Sequence, residues 1–124
     1  MKGTVKFFNN SKGWGFITSK EGWEAFVHYS NIVNMEGRKT LDENDIVEFE
    51  YGENSFGRDS ALNVQPILTT QMIKKSLKDE HLRLKKIGHN SYLVIDGNDV
   101  IQSPEQGMSF EELAAYAGFS VSEE

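Results

Sequence analysis

The chain has 124 residues, 13 of them Lys or Arg and 19 Asp or Glu, for a formal net charge of −6. That balance excludes a protein that gathers nucleic acid by bulk attraction, so any such binding must come from local arrangement. With no Cys there is no disulfide staple, thiolate metal site or thiol chemistry, and with no apolar run near the roughly 18 residues of a membrane span and no secretory stretch after Met1, a cytoplasmic protein off the membrane is expected.

The first informative elements are two short strands, Lys12-Gly13-Trp14-Gly15-Phe16-Ile17-Thr18 and Ala25-Phe26-Val27-His28-Tyr29. Alternate side chains of a strand face the same way, so Lys12, Trp14, Phe16 and Thr18 share one face and Gly13, Gly15 and Ile17 the other. In the second strand Phe26 and His28 share a face, with Ala25 and Val27 behind them in a core-facing pattern. Paired, the strands gather four rings and a Lys into one patch. Unpaired bases need such rings for stacking, and their phosphates need the cation. Aromatic residues in strands are usually core. Here the alternating glycines, which add nothing to core packing, favour an exposed ring face, and burying that face would drag the Lys12 ammonium inward.

A second pattern begins near Gln65-Pro66, which predicts one domain over 1–66 and another over 67–124. Thr69 or Thr70 can cap a helix over 71–80 with Met72, Ile73 and Leu77 as its apolar positions and Lys74, Lys75 and Lys78 on the rest. Residues 82–87 then alternate like a strand over their first four positions, and Gly88-His89-Asn90 signals a turn. Strands over 91–96 and 99–102 flank a two-residue Gly97-Asn98 loop, a register that sets Val94 opposite Ile101 and Ile95 opposite Val100. The apolar hairpin needs a cover. Ser109-Phe110-Glu111-Glu112 is a capping box that starts a helix with Phe110, Leu113, Ala114 and Ala117 as its stripe and Gly118 as its terminator. Residues 67–124 are therefore expected to form a small α+β appendage of helix, three strands and helix.

The aromatic motifs resemble those of the bacterial cold-shock protein family. Lys12 to Ser19 is similar to the family's first ribonucleoprotein motif and Ala25 to Tyr29 to its second. In the same register, Gly3 to Asn9 resembles its opening strand, Lys39 to Leu41 and Asp45 to Glu50 its middle segment, and Ser60 to Val64 its last strand. Over about residues 1–66 the resemblance implies a mainly β fold, a five-stranded antiparallel barrel of the OB type that binds single-stranded RNA and DNA. Position by position it implies contacts from Lys6, Phe7, Asn9, Lys12, Trp14, Phe16, Phe26, His28 and Tyr29. Phe7 stands where the family commonly has Trp, and Trp14 where it has Phe, so stacking area is redistributed. Arg38 replaces a loop aromatic and either stacks through its guanidinium plane or is a solvated loop residue. Around Phe56-Gly57-Arg58-Asp59 the spacing is one residue longer than typical, and contacts by Phe56 and Arg58 follow from the resemblance alone. Phe7 and Phe8 are adjacent, so one is core unless a bulge near Phe8 and Asn9 brings both rings to the binding face. Trp23 either adds a peripheral stacking surface or packs over the barrel's edge.

The expected function is single-strand binding of cold-shock type, as an RNA chaperone or a regulator of transcription or translation. The alternative is a protein-interaction adaptor in which residues 67–124 recruit a partner or mask the barrel face. The appendage is polarised, with six basic and two acidic residues over 74–86 and seven acidic residues without Lys or Arg over 96–124. That basic run is either an extension of the phosphate track or a solvated face. No nucleophile with a nearby His, phosphate-cradling loop or embedded carboxylate pair supports an enzyme. His28, His81 and His89 lack metal-ligand spacing, and no cofactor is expected.

Overall fold

Strand-forming residues carry the first 68 positions into five strands: β1 (Lys2–Asn9), β2 (Trp14–Ser19), β3 (Glu24–His28), β4 (Ile46–Glu53) and β5 (Asp59–Leu68). They come from a computed structural model that describes residues 1–33, 35, 37, 39–53 and 57–119. The chain divides into two compact units, Met1–Thr69 and Thr70–Glu124.

In the first unit the strands close into a barrel in the order β1-β2-β3-β5-β4, with β4 returning to β1. Four of the five pairings are antiparallel, but β3 and β5 run parallel where Phe26 meets Ser60. The expectation of a wholly antiparallel barrel is corrected by parity: strands that alternate in direction cannot close a ring of five, so one seam must be parallel. A 3₁₀ turn over Tyr29–Asn31 and a parallel bridge between Ile32 and Val64 extend that seam.

Burial alternates residue by residue along β2 and β3, as period-2 strands require. Val5, Ile17, Val27, Ile32, Leu41, Val47, Phe49 and Val64 fill the interior, each at most 2% exposed. Burying an aliphatic or Phe side chain of this kind contributes about 1.5–3 kcal/mol. The opening strand holds a bulge, but at Lys6 rather than near Phe8 and Asn9: Val5 pairs with Ile17 and Phe7 with Phe16, which leaves Lys6 as the extra residue. Lys6 and Phe7 are therefore both exposed, and Phe8 is half-buried against the core.

The second unit contains α1 (Thr70–Asp79), β6 (Arg83–Gly88), β7 (Ser91–Ile95) and α2 (Phe110–Tyr116). In α1, Ile73 and Leu77 are buried whereas Met72 is exposed. β6 and β7 form a hairpin across His89-Asn90, and the Tyr92 ring of β7 lies 6.1 Å from that of Phe110. The expected third strand is reduced to one bridge, Ile95 to Ile101, one position away from the expected register. The cause is Asp96, whose carboxylate accepts from the amides of Asn98 (2.8 Å) and Val100 (2.9 Å) and lengthens the loop to three residues, with Asp99 at φ +63°. In α2 the capping box forms in both directions, Glu112 N to Ser109 Oγ at 3.2 Å and Ser109 N to Glu112 Oε1 at 3.0 Å. Gly118 ends the helix at φ +93°, with Phe119 N donating to the Ala114 carbonyl.

Candidate nucleic-acid interface

The outer face of β2 presents Trp14 and Phe16, half-buried, while Gly15 and Ile17 point inward. Register supplies the neighbours: Trp14 lies opposite His28 and Phe16 opposite Phe26 on β3, and the Lys6 bulge sets Phe7 opposite Phe16 on β1. The rings make a continuous strip. Phe7 and Trp14 are 5.4 Å apart and tilted by 30°, Trp14 and Phe26 are stacked at 6.2 Å, and Phe16 meets Trp14 and Phe26 edge-on at 6.1 and 5.9 Å. Edge-on and offset contacts suit the ring quadrupoles, and the faces not used among the rings remain on the outside of the sheet.

Gly15 allows β1 and β2 this close, since a Cβ there would strike the Phe7 carbonyl oxygen and come within 2.7 Å of Phe8 Cα. Gly13 has φ +79°, and a Cβ would stand 2.5 Å from the Tyr29 ring. Tyr29 thus rests on a position that only glycine leaves open, and its amide donates to the Gly13 carbonyl at 2.8 Å. Tyr29 is 49% exposed, and its ring lies 4.5 Å from that of His28. His28 is held by Ser30, with Nδ1 to Ser30 Oγ at 2.8 Å and Ser30 N donating to Nδ1 at 3.3 Å.

The cations are distributed differently from a simple strand face. Lys12 is not on β2: it lies in the 10–13 turn, where Asn9 Oδ1 accepts from the amides of Ser11 and Lys12, both at 3.0 Å. Asn9 therefore shapes the turn with its carboxamide oxygen. Lys6 Nζ donates to Glu24 Oε2 at 2.6 Å, an exposed ion pair beside the strip. The Arg58 guanidinium carbon lies 5.5 Å from the centre of the Phe26 ring and 5.9 Å from that of Phe16, so a cation already covers part of the ring surface. Arg38 and Phe56 lie outside the described residues.

Beyond the rings, a cleft of about 390 Å³ opens between the 10–13 turn, Tyr29, Ser30 and Lys39. It is held open by Asn10, which donates from Nδ2 to the Leu41 carbonyl at 3.0 Å and accepts from the Leu41 amide at 3.1 Å. Neither Asn10 nor Lys39 was singled out as a site residue from sequence, because a pairing across 31 positions leaves no local pattern. Trp23 packs at the barrel edge, edge-on to Phe49 at 6.1 Å and Tyr51 at 5.3 Å, and is not part of the ring strip. The Tyr51 phenol donates to Asp59 Oδ1 at 2.6 Å, and that bond holds its pKa above the ordinary 10.0. Acidic β4, with exposed Glu48 and Glu50, is flanked by β1 and β5 and so lies across the barrel from the β2–β3 seam. Asp45 is buried and accepts from the Asp42 amide at 2.9 Å, so it is a turn-forming group rather than a surface charge. Among the described residues, no group of three His, Asp or Glu is placed to hold a metal, and no helix is long and apolar enough to cross a membrane.

The barrel is similar to known proteins throughout its length. The cold shock-like protein of Thermotoga maritima is 52% identical over 61 residues, covering 91% of that protein and 49% of this chain. Cold shock protein 2 of Lactiplantibacillus plantarum is 48% identical over 64 residues, 94% of its length and 52% of this chain. A cold shock-like protein of Listeria monocytogenes is 54% identical over 55 residues, 82% of its length and 44% of this chain. The family model of the 'Cold-shock' DNA-binding domain matches residues 1–67, which include all five strands but the last residue of β5. A closed five-stranded barrel, an outward ring strip on its second and third strands and this span of sequence agreement lead to one conclusion: the chain belongs to the cold-shock DNA-binding domain family.

Proposed function

We propose that the chain binds single-stranded RNA and DNA by stacking unpaired bases on Phe7, Trp14, Phe16, Phe26, His28 and Tyr29, and acts as an RNA chaperone or as a regulator of transcription or translation. The observation that carries this reading is the ring strip itself, four rings in mutual contact on the outside of a barrel whose interior is already filled. Family membership supports nucleic-acid binding of cold-shock type. Base-on-ring stacking contributes about 1–3 kcal/mol per base, so three or four stacks give useful affinity without hydrogen-bond readout of sequence. In a duplex the base faces are already covered, and the strip must wait for or trap an opened strand. The action is therefore passive: capture of unpaired segments shifts structured RNA toward its open form, with no reaction and no fuel.

The test is a fluorescence titration of a short pyrimidine-rich single strand into the Trp23→Phe protein, in which Trp14 is the remaining reporter, with a duplex control. Stacked bases quench Trp14, and the duplex does not. Trp14→Ala and Phe26→Ala, followed by a mobility or anisotropy assay, each weaken binding by roughly ten- to a hundredfold while thermal unfolding stays cooperative. A folded protein whose Trp14 ignores every single strand would make the ring strip a protein-binding face.

A further inference from the structure

Every Lys and Arg of the second unit lies in its first two elements. Lys74, Lys75 and Lys78 are on α1, and Arg83, Lys85 and Lys86 on β6, all six exposed, whereas residues 89–119 carry five carboxylates and no Lys or Arg. Two of the six are engaged, Arg83 in an ion pair with Asp99 and Lys86 over the Tyr92 ring at 6.0 Å. Among the described residues no ion pair occupies Lys74, Lys75 or Lys78.

The turn of the helix sorts these charges. At about 100° per residue, Gln71, Lys74, Lys75 and Lys78 fall within an arc of about 100° on one flank of the buried Ile73–Leu77 line, with exposed Asp79 at the margin of that arc beside Lys75, while Ser76 falls on the other flank. Ser76 Oγ donates to the Ala117 carbonyl at 3.0 Å, so the end of α2 stands beside the second flank and leaves the lysine flank uncovered by it. Lysines three and four positions apart repel one another, a small cost to the helix that a bound polyanion reverses.

We infer that the lysine flank of α1 is a second contact surface for the same single strand, gripping the sugar–phosphate backbone beyond the bases stacked on the barrel. This rests on the single-strand reading above. Three lysines alone would hold an oligonucleotide weakly, but only Thr69 separates β5 from α1 in the chain, so a strand engaged by the ring strip is tethered to the same molecule and meets them at a raised effective concentration. The contact reads charge and not sequence, so it lengthens the site without adding base preference.

The test compares the full chain with its Lys74→Gln/Lys75→Gln/Lys78→Gln variant on oligothymidines of about 6 and about 24 nucleotides, the shorter lying within the site of one OB barrel. On the long strand the variant binds about tenfold more weakly at moderate salt, and the slope of log K against log salt is shallower by about 2, at about 0.7 per lost phosphate contact. On the short strand the two proteins bind alike. The Lys→Arg triple variant restores the long-strand slope, and circular dichroism shows all three proteins equally helical. An equal loss on both lengths would mark a diffuse charge effect and overturn the inference, as would no loss on either. Tighter binding by the variant would show that the second unit obstructs the strand, which also overturns it. If the unaltered chain bound neither strand, the single-strand reading itself would fall and this inference with it.

Discussion

Lys6 illustrates how one carboxylate can set the working charge of a site. Its ammonium reaches the outer face only because the bulge turns both it and Phe7 outward, and there it meets Glu24 at 2.6 Å. Both partners are exposed, so the pair is worth little to stability. A phosphate must nevertheless displace Glu24 to use Lys6. Glu24→Gln is expected to leave thermal stability unchanged, to tighten binding of a short single strand several-fold at low salt, and to steepen its salt slope by about 0.7. Equilibrium titrations at several salt concentrations check this. A second single-residue prediction concerns Tyr51. Its phenol donates to Asp59, and the raised pKa means that the protonated phenol is favoured by the fold. The bond therefore contributes below the unfolded tyrosine pKa and is lost as pH rises through the folded value. Asp59→Asn should lower the Tyr51 pKa toward the ordinary value, visible in an ultraviolet titration differenced against Tyr51→Phe, and the stability gap between Asp59→Asn and the parent should narrow in strong alkali.

At the scale of elements, α2 is the case where local chemistry dominates. It has only seven residues, too few for helix propensity to sustain it, and its start depends on the two reciprocal bonds between Ser109 and Glu112. Ser109→Ala should cost about 1 kcal/mol, measured as a shift in the urea midpoint of the unfolding of the second unit. This helix was legible in the sequence because a capping box and a terminal glycine are local signals. β2 and β3 were legible for the same reason, their alternation being carried by consecutive residues. Where the decisive contact is not local, the reading failed. A period of two cannot locate the extra residue of a bulge, so the bulge was set near Phe8 and Asn9 rather than at Lys6, and Lys12 was set on a strand that begins only at Trp14. The Gly97-Asn98 loop was read as two residues because nothing in its composition announces that Asp96 will fold back onto the amides of Asn98 and Val100. The cleft at Lys39 depends on Asn10 meeting Leu41, a tertiary contact. The parallel seam was missed too, although it depends on no tertiary contact, since an odd count of alternating strands already requires it.

For the molecule as a whole, the division into two compact units has an experimental consequence. The ten residues of the barrel's buried cluster all lie between Val5 and Val64, and β5 continues through Pro66 to Leu68, which is 5% exposed and opposite Ile46. Residues 1–69 made alone should unfold cooperatively and keep their amide NMR fingerprint, whereas a chain ending at Pro66 should unfold at lower urea because it lacks Leu68. The parallel seam also bears on how the protein is made. β1, β2 and β3 are complete by His28, but the free edge of β3 has no partner until Ser60 has been synthesised. At 5–20 residues per second the ribosome needs roughly 2–8 s more to finish β5. β4, with Val47 and Phe49, is made within that interval and pairs with β1, whereas joining Phe26 to Ser60 closes a long loop, the kind of contact that slows the folding of β proteins. The β3 edge of the ring strip is thus among the last seams of the barrel to gain a partner.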